Sequence, residues 1–154
     1  VSDPPRAAEL DAARLWVRAF VRTRVRPWLA AELRREERLD PQHGRVQLVG
    51  TGGTATILAR MQARLTGFQR GRIERARLTR AQVRAHTRKL WRLPLARRRR
   101  IPGLPPERAD VILMGVLIYE AVMEEFGFPT LRVSTRGLRY AAVLDARSGL
   151  KPSA

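Results

Sequence analysis

Between Arg45 and Met61 the chain reads RVQLVGTGGTATILARM, and five of these residues, Gly50, Thr51, Gly52, Gly53 and Thr54, have the types and spacing to hold an oxyanion. Glycine tolerates positive φ and, lacking Cβ, lets a ligand come up to the main chain. The N–H groups of a helix's first turn have no acceptor inside the helix, and threonine hydroxyls beside them add donors. Phosphate is the anion that such a corner most often takes. A tight strand-to-helix connection that binds nothing uses the same glycines, so the motif alone leaves both readings open.

The corner needs a strand before it and a helix after it. Val46, Leu48 and Val49 make a short β-favouring run, and Ala55, Ile57, Leu58, Ala59 and Met61 continue at helical spacing. Upstream, Ser2, Asp3, Pro4 and Pro5 signal a helix start, and Leu10, Ala13, Leu15, Trp16, Val17, Phe20 and Val21 form an apolar stripe among arginines. Pro27 is expected to kink or restart that helix, with Trp28, Leu29 and Leu33 carrying the stripe to about Arg35. Asp40, Pro41, His43 and Gly44 then read as a loop. The arginines of this helix, interspersed with Glu32, Glu36 and Glu37, read as a solvated face.

Downstream, Arg70 to Leu78 has the alternation of a short edge strand, and Thr79 reads as the N-cap of a helix from about Arg80 to Trp91. Arg97 to Arg100 are four consecutive like charges, expected in water or against an anion. Ala109 to Phe126 is apolar nearly all round and must be covered on most sides. Gly115 inside it predicts close approach by a neighbour, and Gly127 with Pro129 ends it. Thr130 to Val133 reads as a second strand, followed by a helical turn from Leu138 to Leu144. Two strands separated by helices predict an α/β fold, mostly helical, with a small parallel sheet whose strands end at one rim, where ligands bind.

One domain over residues 1–146 and a polar tail over 147–154 account for the 154 residues, of which 44% are apolar. No run of eighteen apolar residues and no signal core are present, so a cytoplasmic protein without a membrane partner is expected. The absence of cysteine excludes disulfides, thiolate nucleophiles and cysteine metal sites. The first residue is valine rather than methionine, which points to a segment of something longer. A net charge of +17 concentrates any polyanion around the chain. Only Lys89 and Lys151 are lysines, an arginine bias that codon usage explains as well as selection for an anionic partner does.

Three patches, Gly50 to Thr54 (GTGGT), Pro102 to Gly115 (PGLPPERADVILMG) and Val133 to Leu144 (VSTRGLRYAAVL), resemble in this order the C-terminal half of the Ppx/GppA family of exopolyphosphatases and guanosine pentaphosphate phosphatases. SDPP followed by a long amphipathic helix is similar to the segment after that family's second phosphate loop. The likeness therefore runs from about Ser2 to Asp145. It implies the actin-like ATPase (ribonuclease H-like) fold, with two related domains around a phosphate-binding cleft. Gly50, Thr51, Gly52, Gly53 and Thr54 would line the cleft, and Arg136 and Arg139, flanking Gly137 in the RGLR stretch, would meet phosphate. Arg108 and Asp110 match the start of the ERAD helix, where Asp110 reads as a helix-start charge rather than a catalytic group.

The resemblance also implies hydrolysis of terminal phosphoanhydrides of inorganic polyphosphate or guanosine pentaphosphate. Mg²⁺, the catalytic glutamate and two further phosphate loops would lie in an N-terminal half whose motifs have no counterpart here. That half is an expected partner, a homodimer stays open as another, and the chain alone is expected to be inactive. The residues agree: His43 and His86 lack ligand-spaced partners, no serine sits in a nucleophile elbow, and no pair of carboxylates flanks a site. No catalytic and no metal-binding residue is therefore assigned.

Two other readings compete. An arginine-rich nucleic-acid binder without catalysis would use the net charge, but Trp16, Trp28 and Trp91 read as core rather than as base-stacking platforms. A dinucleotide fingerprint is formally matched by Gly50, Gly52 and Ala55 with Glu74 downstream, although it belongs in the first βαβ unit of its domain.

Overall fold

In the computed structural model, residues 2–39, 46–137, 140 and 142–143 are described. The loop expected over 40–44, the polar tail and Arg139 lie outside them. The chain opens with helix α1 (Ala7–Phe20), which runs through a π-turn (Val21–Val25) into α2 (Arg26–Leu39). Proline lacks an N–H and its ring crowds the carbonyl four residues earlier, so an unbroken α-helix cannot pass through Pro27. The wider turn just before it absorbs the misfit, with the Arg26 N–H reaching back to the Val21 carbonyl. The interruption expected at Pro27 takes this form: a π-turn, after which the α-helix restarts at Arg26.

The glycine corner joins β1 (Leu48–Thr51) to α3 (Gly53–Gln62), as expected. The arginine-alternating stretch forms a short helix, α4 (Arg70–Glu74), with only β2 (Arg77–Thr79) as strand. Ile73 is fully buried on this helical turn. Helix α5 (Arg80–Trp91) starts on a capping box in which Gln82 N donates to the Thr79 hydroxyl and Thr79 N donates to the Gln82 side chain. After α6 (Leu95–Arg98) and a 3₁₀ turn (Pro106–Arg108), helix α7 (Ile112–Glu125) ends at Gly127, φ +73°, and leads into β3 (Thr130–Ser134).

The sheet order is β1-β3-β2. β1 and β3 are parallel, with Thr51 beside Ser134, so both end at one rim. β2 runs antiparallel to β3, which makes the sheet mixed rather than purely parallel. Helices α3, α5 and α7 cover one face, and α1 packs on α7 from outside. Leu78 and Leu131 point into this core, while Val49, Arg77, Thr79 and Arg132 project from the other face, which is exposed.

Helix α7 carries three glutamates on its otherwise apolar surface, and all three meet the first helices. Glu120, buried to 2% exposure, accepts from Arg14 Nε at 3.0 Å; Glu124 pairs with Arg18; and Glu125 accepts from Arg26 at 2.6 Å and Arg22 at 3.4 Å. Burying a lone carboxylate costs on the order of several kcal/mol, so Glu120 depends on Arg14. Arg14 is a largely covered cross-link, whereas Arg18, Arg22 and Arg26 reach α7 while remaining 44%, 67% and 53% exposed, so the face expected in water stays there but is also tied to α7. Leu10, Val17 and Val21 are the buried stripe of the long helix. Trp16, Phe20 and Trp28, expected in the core, are exposed, with Trp16 and Phe20 stacked 5.8 Å apart. A second correction concerns the arginine run. Arg98 is buried, donating to the carbonyls of Ala109 (2.9 Å) and Leu93 (2.7 Å), and so clamps α6 to the segment before α7.

The ladder makes stability depend on acidity. Hydrogen bonding from Arg26, then Arg22, holds the Glu125 carboxyl below its ordinary 4.5. The unfolded chain thus takes up this proton at higher pH than the native one, so the contribution is complete above about 4.5 and is lost as pH falls through the native value. Thermal unfolding of wild type is expected to worsen more steeply on acidification than that of Glu125→Gln; parallel profiles would contradict the pairing.

Candidate functional site

β1 brings the chain to the rim, where Gly52, at φ +83° and ψ −168°, turns it into α3. No side chain caps that helix. The Gly52 carbonyl accepts from Thr56 N at 3.1 Å, which leaves the amides of the first turn without an intrahelical acceptor. A Cβ placed on Gly52 or Gly53 would meet nothing within 4 Å, so both are open on the side that a side chain would occupy, and Gly53 and Thr54 line a pocket at the helix start.

The five corner residues divide by role. Gly50 is a packing glycine: its Cβ would lie 2.9 Å from Ala55 Cβ and Tyr119 Oη and 3.0 Å from Leu131 Cδ1. Gly52 supplies the left-handed turn, and Gly53 presents bare backbone. The Thr54 side chain lies against α7, its Oγ1 2.6 Å from where a Cβ of Gly115 would be, so Thr54 has its amide to offer rather than its hydroxyl. Thr51 is exposed at the rim. The close approach expected at Gly115 is thus made by the corner itself.

Two arginines flank the corner. On one side Arg108 lines a pocket of about 240 Å³ with Gly53, Thr54 and Val111. Asp110 accepts from Val111 N at 2.8 Å, a local bond just before α7. On the other side Arg136 lines a pocket of about 320 Å³ with Val49, Arg132 and Ser134. Its amide donates to the Ser134 hydroxyl at 3.1 Å, its Nε lies 4.0 Å from Glu74 Oε1, and its guanidinium sits 5.3 Å from the centre of the Tyr140 ring. Arg70 lies 5.9 Å from the same ring. Glu74 accepts from the Thr135 hydroxyl, and this bond, followed by Arg70 and Arg136, holds its carboxyl below the ordinary range. Glu74 is therefore anionic at neutral pH, and an arriving phosphate must share Arg136 with it.

The sequence assigns no phosphate-site role to Glu74, Arg108 or Tyr119, although Glu74 figures in the dinucleotide reading. The ERAD patch pointed to Arg108, and Tyr119 stands one helical turn after Gly115, but Glu74 reaches the rim only because β2 pairs antiparallel with β3. That topology also fails the dinucleotide reading. The strand following β1 is neither its neighbour nor parallel to it, and Glu74 sits on α4. His86 lies elsewhere, with Nε2 2.9 Å from Gln62 Oε1, and burial lowers its pKa. Among the described residues no three His, Asp or Glu side chains converge as metal ligands.

The model of the Ppx/GppA phosphatase family matches residues 2–147. The chain is similar in structure to the Ppx/GppA phosphatase of Aquifex aeolicus in its type II variant, at 23% identity and a TM-score of 0.73, covering 94% of this chain and 43% of that one. It is also similar to an exopolyphosphatase from Cytophaga hutchinsonii, at 20% identity and a TM-score of 0.68, covering 100% of this chain and 46% of that one. The chain thus spans less than half the length of these relatives. No curated protein matches it.

The division of the glycines has a direct test. Gly50→Ala is expected to lower unfolding stability by about 1–3 kcal/mol through overpacking. Gly53→Ala, with open space around it, should leave stability unchanged or raise it by up to about 1 kcal/mol. Urea midpoints at constant slope report both, and equal midpoints would refute the close contact at Gly50.

Proposed function

This chain belongs to the Ppx/GppA phosphatase family, and from that premise we propose that it forms one wall of a phosphate-binding cleft. The complete site would hydrolyse the terminal phosphoanhydride of inorganic polyphosphate or guanosine pentaphosphate. One observation carries the reading. An uncapped helix N-terminus with open space at Gly52 and Gly53 stands between Arg108 and Arg136, at the rim where the two parallel strands end.

The wall's chemistry is electrostatic. Backbone amides and guanidinium groups stabilise phosphoryl oxygens as charge shifts towards them, the usual protein contribution to phosphoryl transfer. The base that activates water, and the ligands for Mg²⁺, belong in this reading to an N-terminal half. The described residues do not provide a metal-binding donor set, so this chain's part rests on amides and arginines. Strand β1 supports a partner half, since it pairs with β3 on one side and has no strand on the other among the described residues. On this reading the chain alone is inactive.

A second reading, a nucleic-acid binder, gains from the exposure of Trp16, Phe20 and Trp28. It loses from the state of the nearby arginines, because Arg14, Arg18, Arg22 and Arg26 are engaged by glutamates of α7.

Calorimetry with tripolyphosphate tests the wall. Gly53→Asp should keep the wild-type unfolding midpoint yet weaken tripolyphosphate binding roughly tenfold or more, since it places an anion at the amides. Glu74→Gln should strengthen binding by freeing Arg136. Unchanged affinity in Gly53→Asp would remove the corner from the site. The chain is expected to release phosphate from polyphosphate only when the missing half is supplied; turnover of roughly 1 per second or faster by the chain alone would refute its dependence on that half.

A further inference from the structure

The exposed face of the sheet carries charge that the rim does not use. Strands of α/β sheets are commonly covered on both faces. Here, among the described residues, one face presents Thr79, Thr130, Arg77, Arg132 and Ser134, with Val49 as its large apolar residue. Arg77 and Arg132 are register partners on neighbouring antiparallel strands. Like charges directly opposite one another destabilise a sheet unless something neutralises them.

Among the described residues their hydrogen-bond partners are neutral. Arg132 donates to the Gln47 side chain at 2.6 Å, and Arg77 donates to the carbonyls of Glu74 at 3.3 Å and Ala76 at 3.1 Å. Neither arginine has a carboxylate within 4 Å among the described residues, in contrast to Arg14, Arg18, Arg22 and Arg26. Arg132 shares a pocket with Arg136 and the carboxylate of Glu74, and Arg77 faces Arg132 across the sheet. From the edge strand β2, Arg77 also lines a pocket of about 380 Å³ with Arg72 and Arg75, bounded by Gln62 of α3 and Gln82 of α5, so the arginines pass from the exposed face round the sheet edge.

We infer that Arg132, Arg77, Arg75 and Arg72 form an anion-binding band that continues from Arg136 at the rim and holds the body of a long polyphosphate chain. The inference rests on the cleft reading above and deepens it, because a ligand with few phosphates is exhausted at the rim, whereas an extended chain can occupy the whole band. Among the described residues the outward positions of the three strands hold no aromatic side chain, and the one exposed ring near Arg136, that of Tyr140, is taken up by the guanidinium groups of Arg136 and Arg70, which favours a phosphate chain over a nucleic acid on this face. The exposed Trp16, Phe20 and Trp28 belong to the helix pair that packs on α7, on the covered side of the sheet.

The test compares tripolyphosphate with long-chain polyphosphate, titrated into the whole 154-residue chain over a range of salt. Three proteins are needed: wild type, Arg77→Gln with Arg132→Gln, and a charge-matched control, Arg97→Gln with Arg99→Gln, in which both sites are exposed and lie off the band. Long-chain affinity should fall roughly tenfold in the band variant. Its salt dependence should flatten by about one unit of slope per arginine removed. Tripolyphosphate affinity should stay at the wild-type value, and the control should lose distinctly less than the band variant. The band is overturned if its variant keeps long-chain affinity, if it loses no more than the control, or if single-stranded DNA of matched charge competes as well as polyphosphate. Failure of the band alone leaves tripolyphosphate binding and its sensitivity to Gly53→Asp intact. Failure of the cleft reading shows instead as wild type that does not bind tripolyphosphate, and it takes the band with it.

Discussion

The corner owes its position to the missing side chain at Gly115. Helix α7 is apolar on most sides and forms the centre against which α1, α3 and α5 pack. Where α3 begins, Gly115 lets the Thr54 side chain settle directly on the α7 backbone, and one turn later Tyr119 lies under Gly50. Both ends of the glycine turn therefore rest on one buried helix. A loop held in this way presents its amides without having to order them when an anion arrives, which is the condition for strong electrostatic stabilisation.

Net charge describes this molecule poorly, because its arginines serve three different ends. Arg14, Arg18, Arg22 and Arg26 fasten the long first helices to the glutamates of α7, and Arg98 is spent inside the protein on backbone carbonyls. Arg136 stands at the rim in partial contact with Glu74, poised between an internal partner and an external one. Arg77 and Arg132 face each other with only neutral hydrogen-bond partners among the described residues. These two project from the exposed face of the sheet whose strand β3 leads to Arg136. An anion approaching the corner thus meets a field shaped by position rather than by the total of +17.

The long helix shows how local chemistry adjusts to a distant demand. At about 100° per residue an unbroken α-helix would carry Trp28 roughly 120° round from Trp16. A π-turn takes up one extra residue and returns it to within about 20°. The same extra residue keeps Val25 turned towards the core behind Leu10, Val17 and Val21. Pro27 makes the wider turn locally favourable, and the packing of the apolar stripe on α7 makes it globally consistent.

Much of this was legible in the residues. The turn between Val49 and Ala55, the N-cap at Thr79, the stop at Gly127 and Pro129 and the close approach at Gly115 follow from local backbone chemistry, which depends on a few neighbouring side chains. The family resemblance, carried by three short patches, was equally local. The sequence does not tell which face of an amphipathic stretch is buried, so it points Trp16, Phe20 and Trp28 into a core that they do not join and gives no sign that Arg14 reaches the buried Glu120. Nor could it bring Glu74 to Arg136, or Arg77 opposite Arg132. Those pairings exist only because β2 runs antiparallel to β3. Tertiary structure decided them because strand order and direction are set by how all the helices cover one face of the sheet, and no single stretch of chain contains that information.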